Sequence, residues 1–485
     1  IPKGLKTCHT NADYLDNVYD GPFDQCEALK NITFENGTKQ IASCLFAGCT
    51  GLKNIEIPNT VTIIDKKAFN GCKNLEKIEI PDGVTTIKWS AFSNCENMVT
   101  AQIGDSATGI ESHIFMNCTK LKSVKLPSTL KYITSSMFYN CKSLASVELP
   151  DTVISIEASA FENTGLEEIK IPDNTTLIDK NAFKNSALNK ANISDGVTNI
   201  QDSAFYGCDM LAEAVIPDSV TTLGTHVFED CDMLENVTLG TGVTTIPSYA
   251  FHQCAKLTDI VLPYRVTTVK DHAFTNCVKL KSITVPRATT MIDQNAFSYS
   301  GSMTMYGVDG TYAKSYADDV GMTFIGQEKK AESVSLKDTE ISMNNGSKIS
   351  LQMTVEPLDF TDEVTWKSTD TSVAEVDNSG VLTAKKIGSA TIKVIVGDCS
   401  ASCKVTVVQP VTRITLDCNS LTMESQEQYT LKTNISPNSA SNKDLFWTSS
   451  DDKVATVDEN GTITAISKGN AIITVQAAGG SDVKA

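Results

Sequence analysis

The chain has 485 residues, a formal net charge of −17, 41% hydrophobic residues and 7% aromatic residues. This length is too great for one hydrophobic core, so we expect several domains. The acidic surplus argues against a nucleic-acid partner, because phosphate binding requires a basic face. Since no apolar run reaches about 18 residues, we also predict no membrane-spanning segment in this stretch.

Residues 1–22 precede the first complete repeated unit, and we predict that they form an N-terminal cap or a partial repeat. The first residues lack the apolar core of a signal peptide. We therefore expect that such a peptide has been removed ahead of residue 1.

A period of 22 to 23 residues dominates residues 23–326. Cysteine usually stands three residues after a recurring phenylalanine, and leucine or methionine usually stands six residues after it. One such unit cannot bury its apolar edge alone, whereas stacked units bury it against each other. We therefore predict a solenoid of about 13 coils, marked by Phe23, Phe46, Phe69, Phe92, Phe115, Phe138, Phe161, Phe183, Phe205, Phe228, Phe251, Phe274 and Phe297.

Each unit contains a short alternating stretch, such as Ile78-Glu79-Ile80, which predicts a strand with one apolar face. Pro81 ends this strand because proline has no N–H to donate. The phenylalanine and cysteine columns are predicted to be core, with cysteine as a small buried hydrophobe rather than a metal ligand. Among the predicted core residues are Phe69, Cys72, Phe92, Cys95, Phe115, Cys118, Phe138 and Cys141.

The motif Cys-x-x-Leu-x-x-Ile-x-Ile-Pro-x-x-Val-x-x-Ile-x-x-x-Ala-Phe resembles the BspA-like (Treponema pallidum type) leucine-rich repeat family over residues 20–326. The segment 306–324 looks like the C-terminal cap of that family. Its residues predict a short helix from Tyr312 to Asp318 and a closing strand that covers the last coil.

Residues 331–409 and 410–485 match each other at an offset of 81, with Trp366 aligned to Trp447. Their short Val-, Ile- and Thr-rich runs between Gly and Asn turns predict two β-sandwiches, in which both tryptophans are core residues. The shared pattern resembles the group 2 bacterial immunoglobulin-like domain. The final strand of the second copy is predicted to be short or missing. The fold class is therefore mostly β: a leucine-rich-repeat solenoid followed by two immunoglobulin-like domains.

Five cysteines lie outside the repeated column, and the sequence leaves their pairing open. A disulfide between Cys8 and Cys44 would fasten the N-terminal end of the solenoid. Cys399 and Cys403 are interpreted as flanking a hairpin end at residues 397–398, and Cys418 stands alone.

No catalytic motif is present, so we predict that this chain is not an enzyme and binds neither a cofactor nor a metal ion. His226 and His272 occupy the column two residues before phenylalanine, with Tyr249 between them. Two coils separate the histidines by about 10 Å, too far for one ion. Two interpretations remain: ordinary surface side chains, or a ligand-contacting patch that also includes His252 and Tyr264.

A second candidate surface is the column between the two apolar strand positions. Its first half is charged and its second half is neutral to apolar, which suits an extended binding face, although strand surfaces favour β-branched residues in any case. The column consists of Thr33, Glu56, Glu79, Gln102, Lys125, Glu148, Lys170, Asn192, Val215, Thr238, Val261 and Thr284.

The resemblance implies an extracellular location, at the cell surface or secreted, since group 2 modules usually serve as stalks or adhesive units. We expect a binding or adhesion protein whose partner is a host extracellular-matrix protein, a glycan or another bacterium. One alternative is a structural cell-wall scaffold without a dedicated ligand. Another is an accessory binding region of a larger extracellular enzyme.

Overall fold

The computed structural model describes residues 22–478 and 483–485. The predicted N-terminal cap, with Cys8 and His9, lies outside the described residues except for residue 22. The described chain is mostly β, as predicted, and divides into two compact units. One unit contains the residues up to Lys330 together with 357–361, and the other contains residues 331–356 and 362–485.

The first unit is a solenoid of about 12 turns, close to the 13 coils expected from the phenylalanine spacing. Each turn contributes a two-residue strand to one face of the stack, because an apolar residue at this point is buried against the next coil. These short strands are Gln40–Ile41, Ile63–Ile64, Thr86–Ile87, Gly109–Ile110, Tyr132–Ile133, Ser155–Ile156, Leu177–Ile178, Asn199–Ile200, Thr222–Leu223, Thr245–Ile246, Thr268–Val269 and Met291–Ile292.

A second face consists of strands of three or four residues, which we call the long-strand face. They pair in parallel with the next coil, so that Ile78 aligns with Ala101 and Ile169 with Ala191. This register follows the sequence period and repeats the same environment in every coil. The strands are Lys77–Ile80, Thr100–Ile103, Ser123–Lys125, Glu168–Lys170, Lys190–Asn192, Glu213–Val215, Asn236–Thr238, Asp259–Val261, Ser282–Thr284 and Thr304–Gly307.

The phenylalanine column forms a continuous ring stack through the solenoid. Ring centroids of successive coils, such as Phe69 and Phe92 at 5.2 Å or Phe92 and Phe115 at 6.0 Å, are in stacking contact. All eight phenylalanines and cysteines predicted as core have 0% exposure. Their burial confirms the predicted core of the repeat.

The buried cysteines also act as hydrogen-bond donors, which the sequence did not reveal. The Cys72 Sγ lies 3.1 Å from the carbonyl oxygen of Phe46, and the same bond recurs along the column. Ser300 replaces cysteine in the last coil and donates to Phe274 O at 2.5 Å. A small side chain with a donor therefore satisfies a buried carbonyl at this position.

Two coils, which begin at Phe161 and Phe183, have 22 residues instead of 23. In both, leucine follows the phenylalanine after five residues rather than six, so the turn is shorter by one residue. Thr164 takes the cysteine position in the first of them and donates to Phe161 O of its own coil at 2.8 Å. The shorter turn thus changes the hydrogen bonding of the column as well as its length.

In most coils two positions adopt left-handed backbone conformations: two residues before and two residues after phenylalanine. Asn94, Asn117 and Asn140 show φ values of 60°, 61° and 60° at the second of these positions. Asparagine tolerates this region better than most residues with a side chain. The Asn117 amide donates to Asn94 Oδ1 at 2.8 Å, and Asn140 donates to Asn117 at 2.9 Å, so the column is also a side-chain ladder.

A helix and a strand close the C-terminal end of the solenoid, as predicted. The helix Tyr312–Val320 ends at Gly321, whose φ of 69° is a left-handed conformation that favours glycine. The strand Thr323–Gly326 then pairs in parallel with Thr304–Gly307. Ala313, Tyr316 and Ala317 are buried residues of this helix, which therefore covers the exposed end of the core.

The second unit begins with the first immunoglobulin-like module. In its larger sheet the strand Cys399–Val408 pairs with Glu340–Asn344 in parallel and with Gly388–Val396 antiparallel. Trp366 is 6% exposed, as expected for a core residue. The strands of the module are Ser333–Leu336, Glu340–Asn344, Lys348–Ser350, Met353–Glu356, Val364–Ser368, Ala374–Val376, Val381–Ala384, Gly388–Val396 and Cys399–Val408.

The predicted hairpin end at residues 397–398 is confirmed, because Val396 pairs with Cys399 across it, but Cys399 and Cys403 do not flank it. Both residues belong to the strand Cys399–Val408, and the turn precedes them. Four strand steps separate them by about 13 Å, too far for a disulfide.

The second module is less complete in the described residues. Residues 421–424, which correspond to most of Glu340–Asn344, form no strand, and Trp447 is half-buried rather than buried as predicted. The smaller sheet leaves this ring partly uncovered. The strands are Arg413–Leu416, Gln428–Thr430, Thr433–Ser436, Leu445–Ser449, Ala455–Val457, Thr462–Ala465 and Ile473–Ala477.

Candidate functional site

Three aromatic rings from successive coils stack on the solenoid surface. The ring centroids of His226 and Tyr249 lie 4.7 Å apart, and those of Tyr249 and His272 lie 4.9 Å apart. All three residues occupy the left-handed position two residues before phenylalanine, with φ values of 57°, 59° and 55°. The shared backbone conformation aims the three side chains in the same direction, which explains the stack.

His252 joins this group through an edge-on contact with Tyr249, at 5.4 Å between centroids. The structure therefore brings together four of the residues that the sequence singled out: His226, Tyr249, His252 and His272.

Glu229 is the central residue that the sequence analysis missed. Its Oε1 lies 2.8 Å from His252 Nδ1, and its Oε2 bonds to His226 Nδ1. The side chains of Glu229 and His252 are only 12% and 16% exposed. Both stand one residue after phenylalanine in adjacent coils, so comparing that column from coil to coil would have placed them side by side.

Asp230 lies beside this cluster and at the edge of a polar groove. Its backbone N–H donates to His252 O at 2.9 Å, and its carboxylate accepts from the Gln253 amide. A hydrogen bond to Asp230 raises the pKa of Tyr206 to about 12, with burial as the next cause. The groove is lined by Asn185, Tyr206, Gly207, Asp209, Asp230, Asp232, Gln253, Ala255, Asn276 and Val278.

The groove carries a concentration of negative charge. Burial raises the pKa of Asp209, and the neighbouring carboxylates of Asp232 and Asp230 raise it further. Among the described residues, no lysine or arginine forms a salt bridge with these three side chains or with Glu229. The groove therefore favours cationic or hydrogen-bond-donating ligands.

Three predicted residues lie apart from the ring cluster. Val215 and Val261 belong to the long-strand face, where they are 46% and 37% exposed. Tyr264 makes a ring contact outside that cluster. Its ring lies 5.9 Å from that of Phe360, a residue of the same compact unit, and burial raises its pKa to about 12.

A smaller ring pair occupies the early coils. Trp89 Nε1 donates to His113 Nδ1 at 3.1 Å, and Lys67 Nζ lies 5.0 Å from the Trp89 ring centroid. Burial lowers the pKa of His113. His113 shares the left-handed position of His226, so this column carries an aromatic ring in the early coils as well.

The cluster around Glu229 offers recognisable ligand chemistry. Glu229, Asp230 and His252 bring two carboxylates and one imidazole together, with one ligand atom from each within 4.8 Å of the others. No helix within residues 22–478 and 483–485 could span a membrane.

Comparison with known families agrees with the two parts of the fold. The family described as the BspA type leucine rich repeat region, in six copies, matches residues 10–122, 62–189 and 176–304. The group 2 bacterial immunoglobulin-like domain matches residues 330–407 and 410–485. Neither family is a catalytic one.

Individual relatives resemble parts of the chain. A leucine-rich repeat protein from Bacteroides ovatus is 26% identical with a TM-score of 0.51, covering 63% of this chain and 80% of that one. A leucine rich cell surface protein from Faecalibacterium prausnitzii is 28% identical with a TM-score of 0.34, covering 55% and 87%. An uncharacterised Clostridium acetobutylicum protein is 34% identical over 125 residues, which is 25% of this chain but only 13% of that protein's length.

The repeat region matched by the first family extends from residue 10 to residue 304, more than half of the 485 residues. The stacked coils and the phenylalanine column described above account for this match in structural terms. The chain therefore belongs to the BspA-type leucine-rich repeat family and carries two group 2 bacterial immunoglobulin-like domains after its repeats.

Proposed function

We propose that this chain is a cell-surface or secreted binding protein, whose solenoid presents an extended recognition face to a protein or glycan outside the cell. The partner would be a host extracellular-matrix protein, a glycan or a component of another bacterial surface. Repeat proteins commonly bind along such extended surfaces. The two immunoglobulin-like modules support an extracellular role, because modules of this family usually serve as stalks or adhesive units.

The observation that carries this proposal is the outward column of the long-strand face. Within Lys77–Ile80 the side chains of Ile78 and Ile80 are buried, whereas that of Glu79 is exposed. Stacking constrains the buried positions but leaves the outward ones free to vary. An extended row of freely varying side chains is what recognition of a large partner requires.

The second half of this face has the chemistry of a contact surface. Val215 and Val261 are exposed where Glu79 and Lys125 stand in the early coils. Exposed apolar side chains in one row favour a partner that covers them. The charged first half would remain solvated or contribute to orientation as the partner approaches.

Surface plasmon resonance with the full chain tests this proposal. Matrix proteins, mucin and defined glycans would be immobilised, and saturable binding to at least one of them is expected. Val261→Asp places a charge in the proposed contact and should weaken that binding by about tenfold, equivalent to about 1.4 kcal/mol.

Gln102→Asp is the matched control, because Gln102 is an exposed residue of the same column in the first half. It should change the affinity by less than about twofold, since one solvated charge contributes little. No saturable binding to any immobilised partner would contradict the proposed function. Equal effects of the two substitutions would contradict its location in the second half.

A further inference from the structure

The cluster at Glu229 contains metal-ligating side chains, which the proposed binding to a partner does not require. We infer that Glu229, Asp230 and His252 form a binding site for a divalent transition-metal ion of the zinc class, which bridges two adjacent coils. For the histidines, the sequence-based expectation of no metal rested on the separation of His226 and His272. It did not include the two carboxylates that the fold places beside His252.

The positions of the three side chains support a coordination site. One ligand atom from each residue lies within 4.8 Å of the other two. In the structure, His252 Nδ1 and Glu229 Oε1 lie 2.8 Å apart. Ligands of a tetrahedral zinc ion, with bonds of about 2.1 Å, lie about 3.4 Å from each other. To admit the ion, side-chain rotation would open this pair by about 0.6 Å and would draw in any pair near the 4.8 Å limit by about 1.4 Å.

The backbone beneath the cluster is held in place. Asp230 N donates to His252 O at 2.9 Å, and Glu229 N donates to His226 O at 3.3 Å. The adjacent rings of His226 and Tyr249 stack on each other and limit the space open to the His252 ring. Ligands that are already oriented lose little conformational entropy when an ion binds.

The surrounding charge favours a cation. Asp209 and Asp232 lie in the same groove as Asp230, so three carboxylates that repel one another line one opening. A divalent ion between Glu229 and Asp230 would offset this repulsion. His226 bonds to the second oxygen of Glu229 and would orient that carboxylate, as outer-shell partners of metal ligands do.

The ligand types select the class of ion. Calcium and magnesium prefer oxygen ligands alone, whereas an imidazole nitrogen together with carboxylate oxygens suits zinc and its neighbours in the first transition row. Three protein ligands leave one tetrahedral position for water or for a group from a partner. None of the three ligands belongs to a strand of the long-strand face, so the inference does not rest on the recognition surface proposed above.

Metal titration of the full chain tests this inference. Zn²⁺ binding is measured by competition with a chromophoric chelator, and the Co²⁺ form is examined by visible absorption. We expect one saturable site whose Co²⁺ spectrum shows nitrogen and oxygen ligation without thiolate charge-transfer bands. His252→Gln and Glu229→Gln should each weaken binding by about tenfold or more.

His272→Gln is the control, because His272 stacks on the same Tyr249 ring but lies outside the three-ligand set. The affinity of this variant for Zn²⁺ should stay within about twofold of that of the unsubstituted chain. The inference fails if the chain binds no ion, if the Co²⁺ spectrum shows thiolate ligation, or if both ligand variants bind like the control. Circular dichroism shows whether each variant is folded. The Co²⁺ spectrum is recorded on the unsubstituted chain, so it tests the inference even if a variant does not fold.

Discussion

Burial of the cysteine column changes the chemistry of its thiols. The pKa of Cys208 and of Cys277 is raised to about 12, chiefly by burial, and that of Cys49 to about 11 for the same main reason. The sequence correctly predicted burial, because ten recurrences of one small residue imply one repeated environment. It did not predict the thiol-to-carbonyl bonds, since a column identifies neighbours but not the direction of a side chain.

This burial makes the stability of the solenoid sensitive to alkaline pH. Below pH 9, the reference pKa of 9.0, Cys277 is protonated in both the folded and the unfolded chain. Between pH 9 and pH 12 the unfolded chain loses this proton while the folded chain keeps it, so the free energy of unfolding falls. The slope should be about 1.4 kcal/mol per pH unit for each such thiol.

Cys277→Ser tests this prediction by denaturant unfolding at several pH values. Ser300 in the next coil already makes the equivalent bond, so the variant should fold. Its free energy of unfolding should fall less steeply than that of the unsubstituted chain between pH 9 and pH 12. Parallel pH profiles for the two proteins would show that the thiol does not cause the dependence.

At the scale of the structural element, the turns around phenylalanine are more constrained than the sequence pattern suggested. Their left-handed positions hold Asn117 and Asn140 after the phenylalanine, and His226 and Tyr249 before it. Recurrent asparagine two residues after phenylalanine was the available signal for such a conformation. The apolar columns predict which residues are buried, but they carry no information about the backbone conformation of these turns.

The asparagine ladder gives a prediction for the element. Asn117→Val should destabilise the solenoid by more than Asn117→Gly, with a difference of about 1–2 kcal/mol, because a residue with a side chain is strained at a φ of 61°. Both variants lose the ladder bonds to Asn94 and Asn140, so their difference isolates backbone strain. Denaturant unfolding provides the measurement, and equal losses would rule out strain as the cause.

At the scale of the molecule, periodicity predicted the solenoid, its cap and the two modules, because stacking forces every coil into one environment. The same reasoning did not reveal the role of Glu229, which depends on contact between surface side chains of adjacent coils. It also overestimated the burial of Trp447, which an offset of 81 aligned with the buried Trp366. Aligned residues of the two modules are buried to the same extent only where the strand that covers them is present in both modules.

Separate cores predict separate unfolding transitions. The core cluster of the solenoid contains Phe138, whereas the core of the second module is built around residues such as Ile414 and Val475. Phe138→Ala should therefore destabilise the solenoid by about 3–5 kcal/mol. The transition of the second unit should not move.

Tryptophan fluorescence separates these two transitions. Trp89 belongs to the solenoid unit, whereas Trp366 and Trp447 belong to the second unit. In a Trp366→Phe, Trp447→Phe background the emission follows the solenoid, and in a Trp89→Phe background it follows the modules. A Phe138→Ala shift of similar size in both backgrounds would contradict independent cores.

The two 22-residue coils have a consequence for how the chain finds its alignment. Coils of 23 residues are nearly interchangeable, so a growing stack that skips one coil would meet an almost equivalent surface. The shortened turns after Phe161 and Phe183 break this equivalence. Because the two 22-residue coils are adjacent in the chain, a short coil stacks on another short coil at only one place in the solenoid. We expect them to act as a register mark, from which correct pairing extends towards both ends. Inserting one residue into each of these turns should therefore increase the fraction of misaligned chains after refolding.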